Sequence, residues 1–312
     1  MKRLLSVILA LVLLMSAAVA ETVSVSALNG PTGMGLVKLM ADEEGNDAYS
    51  FTLAASADMI TPGIIKGETD IAFVPANLAS VLYNKTNGGV RVLGISTLGV
   101  LYIVDRGGEI ASLADLKGRT LYASGKGATP EYALNYLLKA NGIDPETDVN
   151  IVYKSEHAEC LTALINDETA CAMLPQPFVT VAQSKQEDIR IAIDLTEEWN
   201  ALDNGSTLIT GAFIARTEFI SENPAAVNAF IEGYAASVEY VNANAEEAAS
   251  LVGKYEIVAE QVALKALPYC NIVCITGENM KSTLSGYLSV LFEQDPSSVG
   301  GSLPDEAFYY EY

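Results

Sequence analysis

Histidine and tryptophan occur once each in 312 residues, as His157 and Trp199, and cysteine occurs four times. One imidazole and no C-x-x-C spacing leave nothing from which to build a common zinc centre, so no metal and no cofactor are expected. G-x-S-x-G is absent, and a hydrolytic triad would have to use His157 as its base. Basic residues are also scarce, 18 against 39 acidic ones, for a formal net charge of −21. That balance argues against a general basic patch for nucleic acid or an anionic membrane. It leaves a small anionic ligand open, because helix termini set the field inside a cleft. Low-complexity tracts are missing and half the residues are hydrophobic, which describes a folded chain with room for two lobes.

The one strongly apolar run lies at the start. Lys2-Arg3 is followed by residues 4–15 and then by Ala18-Val19-Ala20, the pattern of a secretory leader cut before Glu21. Residues 1–20 are read as a signal peptide, which places the mature protein outside the cytoplasmic membrane, secreted or periplasmic. No cysteine stands near the cut for lipid attachment. Export permits disulfides, and Cys160, Cys171, Cys270 and Cys274 allow three full pairings or buried free thiols, all left open by the spacing.

Short apolar strands alternate with helical segments along the mature chain, as in a wound α/β protein. Strands are expected over 22–28, 49–54, 71–74, 91–96, 100–104, 120–123, 149–153, 170–174, 189–194 and 207–215. Helices are expected through about Asp42, to Lys66, to Asn84, over 130–141, to Asn166, from Pro224 to about Asn242, after Asn244, and over 259–266 and 277–293. The richest stretch runs from Gly99 to Tyr132. Ser112 and Asp115 bound a short helix that Gly118 stops, and Gly125-Lys126-Gly127 turns the chain toward Thr129 as N-cap and Pro130 at the first helical position. A helix start at the carboxyl end of a strand is a usual place to hold a small polar ligand.

The segments SLADLKGRTLYASGKGATPEYAL, GETDIAFVPANLAS, ALINDETACAMLPQPFV and FIARTEFISENPAAVNAFIEGY, with the leader, resemble the solute-binding proteins of ABC importers. The resemblance is to the branch that handles nitrate, alkanesulfonates, taurine and the pyrimidine precursor of thiamine. It implies an α/β, two-lobed periplasmic-binding-protein-like fold of type II with two crossing strands, here near 101–105 and 208–215. The lobes would be residues 21–104 and 212–312 for the first and 105–211 for the second. It implies a monomer that captures a small molecule in the inter-lobe cleft and hands it to a membrane permease, with no catalysis. A related cytosolic enzyme that builds the thiamine pyrimidine uses clustered cysteines, which this chain lacks. A sensor module on the same fold is the other alternative.

On that frame the strand-end loops supply the ligand contacts. In lobe one these are Asn29, Thr32, Gly33, Ser56, Asp58, Asn77 and Thr97; in lobe two Gly127, Ala128, Thr129, His157 and Gln176. Backbone N–H groups at Gly33, Ala128 and Thr129 would hold an oxygen, and Asn77 and Gln176 would orient a polar group. Lys126 is the lone cation of its loop and is read as solvated. None of these loops carries an arginine, which tilts the expected cargo toward a neutral or zwitterionic molecule.

Overall fold

A computed structural model describes residues 22–312, so the leader expected over residues 1–20 lies outside the described residues. The chain begins with Val23–Leu28 (β1), the one-turn helix Pro31–Met34 (α1) and Val37–Asp42 (α2). Tyr49–Ala54 (β2), Ala57–Lys66 (α3), Ile71–Pro75 (β3), Ala76–Lys85 (α4) and Val90–Leu98 (β4) follow. Next come Leu101–Arg106 (β5), Thr120–Ser124 (β6), Thr129–Ala140 (α5), Asn150–Lys154 (β7), His157–Asn166 (α6), Cys171–Pro175 (β8), Phe178–Lys185 (α7), Ile189–Asp194 (β9) and Leu195–Ala201 (α8). The chain ends with Ile209–Arg216 (β10), Thr217–Glu222 (α9), Pro224–Ala243 (α10), Ala245–Lys254 (α11), Glu260–Ala266 (α12), Ile272–Ile275 (β11) and Gly277–Gln294 (α13).

Local chemistry sets several of these boundaries. Ser112 and Asp115 form a capping box on the 3-10 turn Leu113–Leu116. Gly67, left-handed at φ 77°, closes α3 by donating to Gly63 and Ile64. Other boundaries were set by partners far along the chain. The single helix expected through Asp42 breaks in two, because Ser237 of α10 accepts from the Leu39 N–H at 3.2 Å and donates to the Gly35 carbonyl at 2.6 Å. The short elements α8, α9 and β11 were not anticipated; their segments are too brief to show a period.

Two mixed sheets result. The first has the order β11-β4-β10-β3-β1-β2 and the second β7-β6-β8-β5-β9. In each, a strand returning antiparallel stands among parallel neighbours: β10 between β3 and β4, and β5 beside β8. The chain leaves the first sheet after Leu98 and enters the second at Leu101, and it comes back to the first at Ile209. The expected division after residue 104 therefore falls inside β5, which pairs with β8 on one side and β9 on the other. The crossings are the short links 99–100 and 202–208, flanked by the strands that were taken to cross.

The lobes share one core. Val74, Ile95 and Ile214 of the first lobe belong to the same buried cluster as Leu134, Leu137 and Trp199 of the second, joined by Met280, Tyr287 and Leu288 of α13. Trp199 and Tyr287 stand with ring centroids 5.6 Å apart, and the Trp199 indole donates to Ser206 at 3.1 Å. Burying such large aromatic surfaces contributes several kcal/mol per residue, on the order of 1.5–3 for each side chain.

All four cysteines are free thiols, with Cys160, Cys171 and Cys270 buried and Cys274 half-buried. Desolvation pushes Cys160 up to about 11 and the other three up to about 12. Thiols held protonated in this way react slowly at neutral pH, and the three fully buried ones are also shut off from reagents. Reductant is expected to leave the melting temperature unchanged, and a thiol reagent on the native protein to modify Cys274 alone. Reaction of the remaining three should appear only with unfolding.

Candidate ligand-binding site

Where the two sheets face each other, a cavity of about 110 Å³ lies against the first crossing. Thr97 at the end of β4, the link residue Val100 with Leu101, and Thr210 and Gly211 at the start of β10 form its floor. The first lobe contributes Leu28, Asn29, Pro31, Thr32 and Pro75. The second contributes Pro130, His157, Pro175, Gln176 and Phe178. For comparison, an apolar cavity of about 150 Å³ is known to take a benzene ring. A larger space of about 510 Å³ adjoins it through Gln176, walled by Thr180, Gln183 and Ser184 of α7, Ile191, and Lys265 and Tyr269 from the first lobe. Its walls are mainly the flanks of α7 and α12, and of the strand-end residues that converge on the smaller cavity only Gln176 reaches it, so the smaller one is the candidate site and the larger one its vestibule.

The polar groups of the small cavity differ in how far they are already engaged. Thr32 donates to the Leu28 carbonyl at 2.9 Å and Thr210 to the Leu98 carbonyl at 2.6 Å. Gln176 uses its Oε1 to accept from the Thr180 hydroxyl at 2.9 Å and the Thr180 N–H at 3.4 Å, which leaves its NH₂ as a donor. Thr97, only 2% exposed, has a hydroxyl with no protein partner. A buried hydroxyl left unpaired costs about 1–3 kcal/mol, so a ligand atom that meets it recovers that cost. Gly211 lies opposite Thr97 in the sheet, and a Cβ there would stand 2.8 Å from the Ser96 hydroxyl and 3.1 Å from that of Thr97. Gly211→Ala is expected to fill this end of the cavity and abolish binding while lowering stability by about 1–3 kcal/mol; calorimetric titration and thermal melts read the two effects separately.

His157 begins α6 and turns one face to Phe178, ring centroids 5.2 Å apart, while its Nδ1 meets the Ser124 hydroxyl at 2.6 Å. Burial lowers its pKa from 6.5 to about 4, so the imidazole is neutral at neutral pH. The folded value lies below the unfolded one, so the unfolded chain takes up the proton first. The stability held by neutral His157 is complete above about 6.5 and drains away as the pH falls toward 4. His157→Gln is expected to flatten the loss of denaturant stability between pH 7 and pH 4.5, with little change above pH 7.

Of the residues expected at the site, Asn29, Thr32, Thr97, His157 and Gln176 line this cavity. The others do not. Gly33 faces the β1–β2 packing, where a Cβ would meet the Leu28 carbonyl at 2.9 Å and Leu53 at 3.2 Å. Ser56 is the N-cap residue of α3 and Asp58 is exposed in its first turn. The Gly127 N–H donates to the Glu131 carboxylate at 2.5 Å and the Ala128 N–H to Gly125 at 3.1 Å, so neither is free for an oxyanion. Thr129 is not the N-cap of α5: Ala128 holds that place, and the Thr129 hydroxyl donates to Asn77 Oδ1 at 3.3 Å. Asn77 and Thr129 are fully buried against each other. Lys126 is exposed, with its ammonium 5.7 Å from the Tyr153 ring.

Sequence reasoning missed the four prolines of the walls, though their positions were visible. Pro75 and Pro175 end the matching strands β3 and β8, and Pro31 and Pro130 stand in the first turn of α1 and α5. Proline has no N–H, so these strand ends present apolar rings where donors would otherwise cluster. No Asp, Glu, Lys or Arg lines the small cavity.

No curated protein sequence matches this chain. Solved structures do. An ABC transporter protein from Parabacteroides distasonis is 25% identical with a TM-score of 0.76, over 93% of this chain and 99% of that one. The periplasmic aliphatic sulphonate binding protein SsuA from Escherichia coli is 15% identical with a TM-score of 0.73, over 91% and 92%. The periplasmic nitrate-binding protein NrtA from Synechocystis PCC 6803 is 15% identical with a TM-score of 0.61, over 79% and 69%. The fold is thus the two-lobed α/β fold of periplasmic binding proteins. The family model described as NMT1/THI5 like matches residues 90–248, which run from β4 of the first lobe through the whole second lobe and back into α11, and the chain belongs to that family.

Proposed function

We propose that this protein is the exported solute-binding component of an ABC importer, which closes its two lobes on a small organic molecule and presents it to a membrane permease. The observation that carries the reading is the cavity itself: both lobes and the crossing build its walls, and its floor holds the buried, unpartnered hydroxyl of Thr97. A ligand there touches both lobes at once, so it favours the conformation in which they meet. The fold supports the reading, as solved neighbours are binding proteins. Nothing in the cavity offers the paired acid and base or nucleophile that catalysis needs, since its one titratable side chain is His157.

The cargo part seated there is compact and uncharged, no larger than a benzene ring. Anions need donors or cations, and here the nearby helix starts carry proline, the Gly127 and Ala128 N–H groups are engaged, and Glu131 places a carboxylate at the α5 start. Acceptors and donors remain at Thr97, His157 and the Gln176 amide, enough to orient one polar edge.

Thr97→Val separates a binding role from a structural one. The valine keeps the shape and removes a hydroxyl that has no protein partner, so stability should stay level or rise. Affinity for the cargo should fall by about tenfold, equivalent to about 1.4 kcal/mol. Titrations against hits from a thermal-shift panel of uncharged heterocycles, amino acids, sulfonates and nitrate supply the measurement. A variant that loses stability and keeps its affinity overturns the assignment of Thr97 to the ligand.

A further inference from the structure

Asn77 and Thr129 were expected to touch ligand, and the structure gives them different partners. Tyr287 of α13 donates its hydroxyl to Thr129 Oγ1 at 3.3 Å, and Thr129 passes its own hydrogen to Asn77 Oδ1 at 3.3 Å. The Asn77 amide then donates to the Ser298 carbonyl at 2.9 Å and to the Gly127 carbonyl at 3.5 Å. The relay is satisfied at each step, and Asn77, Thr129, Tyr287 and Ser298 are all within 1% of complete burial. Asn77 and Ser298 belong to the first lobe, and Gly127 and Thr129 to the second. None of these bonds needs a ligand.

The opposite flank is built differently. There α7 of the second lobe faces α12 and Tyr269 of the first across the vestibule of about 510 Å³. Its facing side chains Gln183, Ser184, Lys265 and Tyr269 are exposed, and Lys265 takes no part in an ion pair among the described residues. Parting the lobes at the latch would strip the buried Tyr287 hydroxyl, Thr129 hydroxyl and Asn77 Oδ1 of their cross-lobe partners. Parting them at the vestibule moves exposed side chains apart and leaves the buried pair Gln176 and Thr180 bonded to each other within the second lobe.

We infer that Asn77, Thr129 and Tyr287 are a ligand-independent latch about which the lobes pivot, so that the cleft opens by separation of α7 from α12 and the cargo enters past Gln176. The latch also spaces the site: Pro75 lies two residues before Asn77 and Pro130 directly after Thr129, and both line the small cavity. This rests on the cavity being the ligand site only for the entry route; the pivot stands on the relay alone.

Distances between spin labels on the ligand-free mature chain, in a Cys274→Ser background, test it. One pair spans the vestibule, on Gln183 and Lys265; the other, called the latch pair, sits on the exposed Lys85 and Lys139 near the far ends of α4 and α5, whose first turns hold Asn77 and Thr129. The latch pair should give a single narrow distribution and the vestibule pair a distribution at least twice as broad. Asn77→Ala with Tyr287→Phe should broaden the latch pair, and Thr129→Ser should keep it narrow. Equal widths in the parent protein, or a broader latch pair, overturn the pivot, and this comparison stands even if the double variant fails to fold. A folded double variant with an unchanged latch pair also overturns it. Neither result depends on cargo, so failure of the ligand screen leaves the pivot standing, and failure of the pivot leaves the binding reading standing.

Discussion

The pairing of β10 with β4 organises the molecule. β4 is the last strand laid down before the chain leaves for the second lobe, and β10 is the first after it returns, so this antiparallel pair closes a loop that contains the whole second lobe. Its fit is tight. A Cβ on Gly94 would stand 2.4 Å from the Phe213 ring, so only glycine lets the two strands approach with Phe213 stacked on Phe73. Because β10 is fixed there, Gly211 comes opposite Thr97, and the cavity floor is made from residues far apart in sequence. The same return delivers α10 to α13 onto the first lobe, and α13 then reaches across to Trp199 and Thr129 of the second. Loop closure of this length is entropically mild once the strands pair, since its cost grows only with the logarithm of loop length.

The chemistry of the site follows from how its loops end their hydrogen bonds. In an open α/β sheet the carboxyl ends of strands point helix starts at the crevice, and free N–H groups there usually receive an anion. Here several of those donors are removed: proline replaces two, Glu131 takes the Gly127 N–H, and Gln176 takes the Thr180 N–H. The walls combine proline and aromatic rings and aliphatic side chains with the uncharged polar groups of Asn29, Thr32, Thr97, Gln176 and Thr210. No Asp, Glu, Lys or Arg stands in the cavity lining to add a charge of its own.

Much of the architecture was legible in the sequence because it is written in local signals. Alternating apolar residues marked β1, glycine stops marked α3, and Ser112 and Asp115 bound the short helical turn they were expected to bound, there as a capping box. The family resemblance carried the two-lobed arrangement, which periodicity alone does not reach. What the sequence did not show were choices made by distant partners. The break between α1 and α2 is set by Ser237, and the fate of Thr129 by Asn77 and Tyr287. A threonine before proline at a helix start carries the signal of an N-cap; its hydroxyl turned away because a better-buried acceptor lay across the lobe boundary. Five of the expected contact residues line the cavity; of the rest, Asn77 and Thr129 bond each other across the lobes, Asp58 is exposed, and the others stand in turns and helix starts, places for which polar strand-end residues are equally suited.

Asn77 and Thr129 show why polar loop residues in a cleft protein read ambiguously. A buried amide and hydroxyl have the same requirement whether the partner is a ligand or the other lobe: each donor and acceptor must be met. When the partner is the other lobe, the bond is present in every closed molecule and helps to hold the walls apart at a fixed width. When it is a ligand, as argued for Thr97, the group is left short in the empty protein, and the shortfall becomes a source of affinity. The difference between a latch and a contact thus lies in which buried groups the protein satisfies by itself. Cross-lobe bonds among Asn77, Thr129 and Tyr287 on one flank, and unmet hydroxyls such as that of Thr97 on the floor, divide the cleft in the proposed pivot into a side the protein fixes by itself and a side left to move.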